Sequence, residues 1–186
     1  MFKSLSYDLD EVVKLFRQKK LFDLRGLSSR LIKEAALENN FAKAELSVIA
    51  YSLHKLESKS HFATAKNWPK IKSSIAQNLD AASFAADNHN NKVFLVKIKN
   101  VISQIVKIDS EIGNYAQSIY EKAKVKQAST AYSFGLSVAQ AASLTGADKK
   151  ELQNYIGFTK MIEEEVESKT IVTRVEELRV LLGDKK

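Results

Sequence analysis

Residues 92–132 read KVFLVKIKNVISQIVKIDSEIGNYAQSIYEKAKVKQASTAY, and the spacing of their apolar residues decides the fold class. Ile98, Val101, Ile105, Ile108, Ile112, Tyr115 and Ile119 alternate steps of three and four. A sustained 3.5-residue repeat belongs to a helix packed lengthwise on partners, because only that period keeps one stripe facing one neighbour. The pattern predicts one long helix over 92–132, with Gly113 as a kink. Such a stripe suits the spine of an intramolecular bundle, and it suits a dimer seam as well.

Upstream, residues 87–91 (DNHNN) are the clearest loop signal, since Asn and Asp favour turns and left-handed backbone. Trp68-Pro69 opens a helix, proline in a first turn sacrificing no hydrogen bond, and Ile71, Ile75, Leu79, Ala82 and Ala86 form its apolar face. Residues 58–67 (SKSHFATAKN) read as a polar connector. Asn40 is placed to cap a helix whose richest apolar row is Ile49, Leu53 and Leu56. A further helix spans about 23–37 on Leu24, Leu27, Leu31 and Ala35. Asp8 with Glu11 has capping-box spacing and predicts a first helix through Leu9, Val12, Val13 and Phe16, fading near Lys19 and Lys20.

Composition agrees. Of 186 residues one is proline and six are glycine, so little in the chain breaks helices. The expected fold is all-α: a helical bundle with one long central helix over residues 1–134, and a helix-turn-helix-like corner with a C-terminal amphipathic helix over 135–186. In that last helix Thr173 and Glu176 form another capping box ahead of Val175, Leu178, Leu181 and Leu182. No run approaches the roughly 18 apolar residues a membrane span needs, and the opening MFKSLSYDLDEVVKLF lacks a signal-peptide apolar core. The expectation is a soluble, cytoplasmic protein without a membrane partner.

Enzyme chemistry finds no support. With no cysteine, thiolate nucleophiles and thiolate metal sites are excluded. His54, His61 and His89 lack any ligand spacing such as HExxH, and His54 reads as a surface residue. There is no glycine-rich phosphate loop and no G-x-S-x-G. No catalytic residue, metal or cofactor is expected.

The stretch with functional information is 138–157, VAQAASLTGADKKELQNYIG. A short helix with Val138, Ala141 and Ala142 reaches Leu144, and Thr145-Gly146 ends it. A second opens near Ala147 or Asp148 with Leu152, Tyr155 and Ile156 inward. Ala142 permits a close crossing, and Gly146 can take the left-handed turn. Alanine four residues before the glycine, with apolar residues six and nine after it, resembles the helix-turn-helix of DNA-binding regulators. The resemblance covers about twenty residues, and a plain helical corner asks for a similar pattern.

The resemblance implies a prokaryote-type transcriptional regulator that binds double-stranded DNA, with the bundle as a dimerisation region. Asp148, Lys149, Lys150, Gln153 and Asn154 then point outward. Lys149 and Lys150 would meet phosphate or guanine, and Gln153 and Asn154 carry the donor–acceptor pair that reads adenine. Ser137 and Thr145 would donate to phosphate near helix termini. Charge works against this segment: residues 130–186 hold 8 basic and 9 acidic side chains, including Glu163-Glu164-Glu165, and Asp148 would face the phosphates. The chain's net charge of +7 lies in residues 1–129, so Lys122, Lys124 and Lys126 would supply the missing field, and a homodimer would double it.

Two other readings stay open. One is a protein–protein module, such as an antitoxin-like partner using residues 170–186, similar in layout only. The other places the basic surface of residues 1–129 on RNA or a ribosome.

Overall fold

The computed structural model describes residues 2–112 and 118–167, with side chains for 5–60, 62, 64–111 and 118–159. The elements are α1 (Phe2–Arg17), α2 (Leu21–Glu38), α3 (Phe41–Ser58), α4 (Ser60–Ala63), α5 (Trp68–Asp87), α6 (Asn91–Ile112), α7 (Ile119–Ser133), α8 (Val138–Thr145) and α9 (Lys149–Glu167). Among the described residues there is no strand, and the fold is all-α. No described helix is long and apolar enough to cross a membrane. The chain divides into two compact units, Met1–Leu152 and Gln153–Lys186, with the boundary inside α9.

In the first unit the helices form a closed set of neighbours, with α6 touching α7 and α3 as well as α5. α6 lies on α5, α5 on α1, α1 on the α2–α3 hairpin, the hairpin on α7, and α7 on α8. The hairpin turns as its asparagines dictate. Asn39 takes the left-handed conformation (φ 49°, ψ 47°), and the Asn40 side chain accepts from the N–H groups of Ala42 and Lys43 at 3.1 and 3.2 Å. Leu24, Leu27, Leu31 and Ala35 are buried as the spacing predicts, as are Ile49, Leu53 and Leu56.

The centre of the unit is α3, not the helix predicted over 92–132. Twelve of the 18 residues of α3 are buried, and it touches α1, α2, α6, α7 and α8. A helix small or apolar on nearly every side belongs in a core. The 92–132 stretch forms two helices instead. Ser118 has extended backbone (φ −65°, ψ 149°), and its hydroxyl oxygen accepts from Glu121 N–H at 3.1 Å, a fresh N-cap. The stripe itself is real: Ile98, Val101, Ile105 and Ile108 are buried. On the same helix Val93, Leu95, Val96 and Val106 are exposed, so α6 is peripheral.

Three local expectations also change. α1 is already helical from Phe2, so Asp8 caps nothing; it is buried and accepts from Arg30 at 3.0 Å. Arg30 also meets Glu11 (2.8 Å) and Glu34 (2.9 Å), and Lys43 meets Glu34 (2.8 Å) and Glu38 (3.0 Å), an ionic network stitching α1, α2 and α3. Burial holds the Asp8 carboxyl above its ordinary pKa despite Arg30, whereas the hydrogen bond from Lys43 draws Glu34 below its own. The connector 58–67 contains α4 and buries Phe62 completely. His54 is 8% exposed rather than on the surface, its Nδ1 donating to the Leu21 carbonyl at 3.0 Å. Burial, and then the charges of Lys55 and Arg25, lower its pKa.

In the second unit, the Thr159 hydroxyl donates to the carbonyls of Tyr155 and Ile156, both at 3.0 Å. Gln153, Asn154, Gly157 and Phe158 are exposed, Tyr155 is half-buried and Ile156 is buried. The capping box predicted at Thr173 and the stripe after it lie outside the described residues, as does Gly113.

Candidate nucleic-acid interface

The corner begins at Gly135, whose φ of +100° only glycine takes readily, between α7 and α8. Ser137 and Gln140 then form a complete capping box. Gln140 N–H donates to the Ser137 hydroxyl oxygen at 3.2 Å, and Ser137 N–H donates to Gln140 Oε1 at 3.0 Å. α8 ends at Gly146 in the left-handed conformation (φ 68°, ψ 23°), and Ala147 N–H returns to the Ala142 carbonyl at 3.1 Å. That bond closes a Schellman turn. Asp148 opens α9: its carboxylate accepts from Glu151 N–H at 2.8 Å. This acid, expected to face the phosphates, is the N-cap of the second helix, where its charge also suits the positive end of the helix dipole.

α8 is held on α7 and α3. Its buried residues are Ala141, Ala142, Leu144 and Thr145, and those of α7 include Ala123, Ala128 and Ala131. Short side chains on both helices let their axes approach closely. Two polar contacts key α7 into α3: Ser47 donates to Gln127 Oε1 at 3.0 Å, both residues buried, and the Tyr120 hydroxyl donates to Glu45. Burial and the Glu45 charge together raise the Tyr120 pKa well above its ordinary value. Lys124 pairs with Glu121 at 2.9 Å and stands 5.0 Å from the Tyr120 ring. Its Cε lies 3.9 Å from where a side chain on Gly146 would begin, so α7 reaches the turn itself.

The expected site residues fall as follows. Lys149 and Lys150 are exposed at the end of the first unit, and Gln153 and Asn154 are exposed at the start of the second. Leu152 is fully buried, as its place on the inner face requires. Ser137 is exposed with its oxygen engaged in the cap. Thr145 needs correction: it is 2% exposed and its hydroxyl donates to the Ala141 carbonyl at 3.0 Å, so it has no hydrogen to offer a phosphate. Lys122 is exposed and Lys126 half-buried. Of the three α7 lysines, Lys124 is the one placed against the turn.

Sequence reading missed a groove of about 680 Å³ beside α8, lined by Ala36, Asn39 and Phe41 on one wall and Gly135, Leu136, Ala139, Gln140 and Ser143 on the other. No local signal announces it, because its walls are about a hundred residues apart in the chain. Among the described residues no group of three or more His, Asp or Glu side chains gathers as a metal site. No family model, curated protein or solved structure matches the chain.

Proposed function

We propose that this protein binds double-stranded DNA through the α8–α9 corner, in the manner of a transcriptional regulator, and acts as a dimer. The observation that carries the reading is the presentation of α9. Its first turn is capped by Asp148 and anchored by Leu152, while Lys149, Lys150, Gln153 and Asn154 are all exposed. Lys149 and Lys150 of the first unit offer two phosphate or guanine donors, and Gln153 and Asn154 of the second offer two adenine-reading amides. Ser137, Lys122 and Lys126 complete the surface as backbone contacts, without Thr145.

The test is a duplex titration over a range of salt. DNA binding by this corner gives a slope of log K against log salt of about −0.9 for each phosphate neutralised. Lys149→Glu flattens that slope on every sequence. Asn154→Ala weakens the preferred sequence by about 1–3 kcal/mol while sparing nonspecific binding. If duplex affinity is the same in wild type and both variants, the corner is not the DNA surface.

The groove beside α8 favours a second reading, as a protein–protein module. Phe41 (55% exposed) lines it, and Leu37 (73%) and Phe134 (41%) stand exposed beside its lining residues in sequence. A groove of mixed lining with exposed aromatic and aliphatic side chains at and beside it suits an amphipathic helix from a partner. Loss of a bound partner in Phe41→Ser, with duplex affinity unchanged, separates this reading from the first.

A further inference from the structure

At the other end of α2 from the α8 groove, a tight corner joins α1 to α2. Lys19 N–H donates to the Phe16 carbonyl at 3.2 Å and Lys20 N–H to the Leu15 carbonyl at 3.0 Å, with Lys19 left-handed (φ 54°). These bonds close α1 as a Schellman turn and fix where α2 starts. The second residue of α2 is Phe22, 88% exposed, the most exposed large apolar side chain among the described residues. Around it in the chain stand Lys14, Lys19, Lys20 and Arg25, all exposed and none paired with a carboxylate among the described residues. Arg17 is paired, with Asp80, and Asp23 is the one acid between residues 14 and 25. The bond from His54 to the Leu21 carbonyl sets the end of α3 beside this corner and adds Lys55 to its charge.

One exposed phenylalanine on a surface is ordinary, and so is a solvated lysine. Their coincidence is not: four unpaired cations lie within eight residues of a bare aromatic ring, at a turn whose backbone is pinned. We propose that this corner binds single-stranded nucleic acid, with Phe22 stacking on an unpaired base and Lys14, Lys19, Lys20 and Arg25 contacting the flanking phosphates. Duplex DNA has no use for the ring, because its bases are already stacked behind the phosphate wall, whereas a single strand offers a free base face. A membrane surface suits the corner less well. Leu24 is fully buried and Leu21 half-buried, which leaves Phe22 as the one fully exposed large apolar side chain at the tip, where interfacial anchors present a broad apolar face. The proposal goes beyond the duplex reading and uses residues that reading does not touch.

The test uses the full chain and a fluorescein-labelled, unstructured RNA of about a dozen nucleotides, with its DNA counterpart, read by fluorescence anisotropy. With about four phosphates engaged, log K falls with log salt at a slope of about −3. Phe22→Ala weakens binding by about 5- to 150-fold, Phe22→Tyr restores it, and Phe22→Leu does not, because leucine keeps the apolar bulk but cannot stack. Lys19→Glu with Lys20→Glu flattens the slope by about half. Phe22 is exposed, so matched thermal melts exclude unfolding. Equal affinity in Phe22→Ala and wild type overturns the proposal. So does tight binding to vesicles of anionic phospholipid that Phe22→Leu retains, which would make the corner a membrane anchor. Lys149→Glu leaves this binding unchanged and Phe22→Ala leaves duplex binding unchanged, so this proposal and the duplex reading can fail separately.

Discussion

The α1–α5–α6 side and the α7–α8 end of the first unit are built on different principles. The first is filled with large side chains: Leu9, Val12, Phe16, Ile75, Leu79, Val101, Ile105 and Ile108 are each at most 1% exposed. The second is closed mainly by Ala128, Ala131, Ala141 and Ala142, with Val125 and Leu144, and it is keyed by the bonds from Ser47 to Gln127 and from Tyr120 to Glu45. Bulky apolar stripes supply burial and tolerate small shifts, because many packings of leucine and isoleucine bury similar area. Alanine interfaces bury little per residue and depend on close approach, so their geometry is set by fit and by directional hydrogen bonds. The corner that we propose to contact DNA rests on the second kind of end.

The comparison can be broken by experiment. The largest effect belongs to the aliphatic side: Leu79→Ala leaves a cavity at a fully buried site and costs about 2–5 kcal/mol in urea denaturation. A loss below that range would mean the side collapses around the gap. At the alanine end the damaging change is enlargement. Ala128→Leu forces α7 off its neighbours and costs about 1–3 kcal/mol, while an equivalent insertion on an exposed face costs nothing. If Ala128→Leu is neutral, the close approach is not what holds that end.

The polar key gives the next effect. Ser47→Ala leaves Gln127 Oε1 buried without its donor and costs about 1–3 kcal/mol, and adding Gln127→Leu recovers much of the loss. A double-mutant cycle with no coupling would remove the hydrogen bond from the account. The smallest effect is a pH dependence through His54. Its folded pKa lies below the unfolded value of about 6.5. The unfolded chain therefore takes a proton that the folded chain refuses, so stability is fully present above that pH and falls as the pH drops through it. His54→Gln flattens this part of the stability-versus-pH curve, and an unchanged curve would show that His54 does not titrate with unfolding.

Legibility followed the same division. Elements carried by large apolar stripes or by turn chemistry were readable: α2, α3 and α5, the Asn39–Asn40 turn, the loop over 87–91, and the corner at Gly146. Ser118-Ile119-Tyr120-Glu121 has capping-box spacing and marked the start of α7, but the unbroken stripe across it masked the signal. Asp8 misled in the opposite sense, because its spacing to Glu11 looks the same whether the pair caps a helix or reaches a distant arginine. His54 was misplaced because a lone polar residue on an apolar helix gives no hint of the carbonyl that satisfies it. At the candidate interface, the outward positions of α9 followed from helical spacing. The fates of Thr145 and Lys124 did not, since one depends on burial and the other on a neighbour more than twenty residues away.

By itself the sequence determined that this chain is helical, where most of its helices begin and end, and which faces they bury. Those properties come from local propensity, capping and periodicity, which act over a few residues. Only the tertiary structure decided that α3 rather than α6 is central, that Asp8, Arg30 and Lys43 join three helices, and that a groove opens beside α8. A stripe records that one side of a helix is covered but carries no record of what covers it, and long-range packing alone supplies the partner.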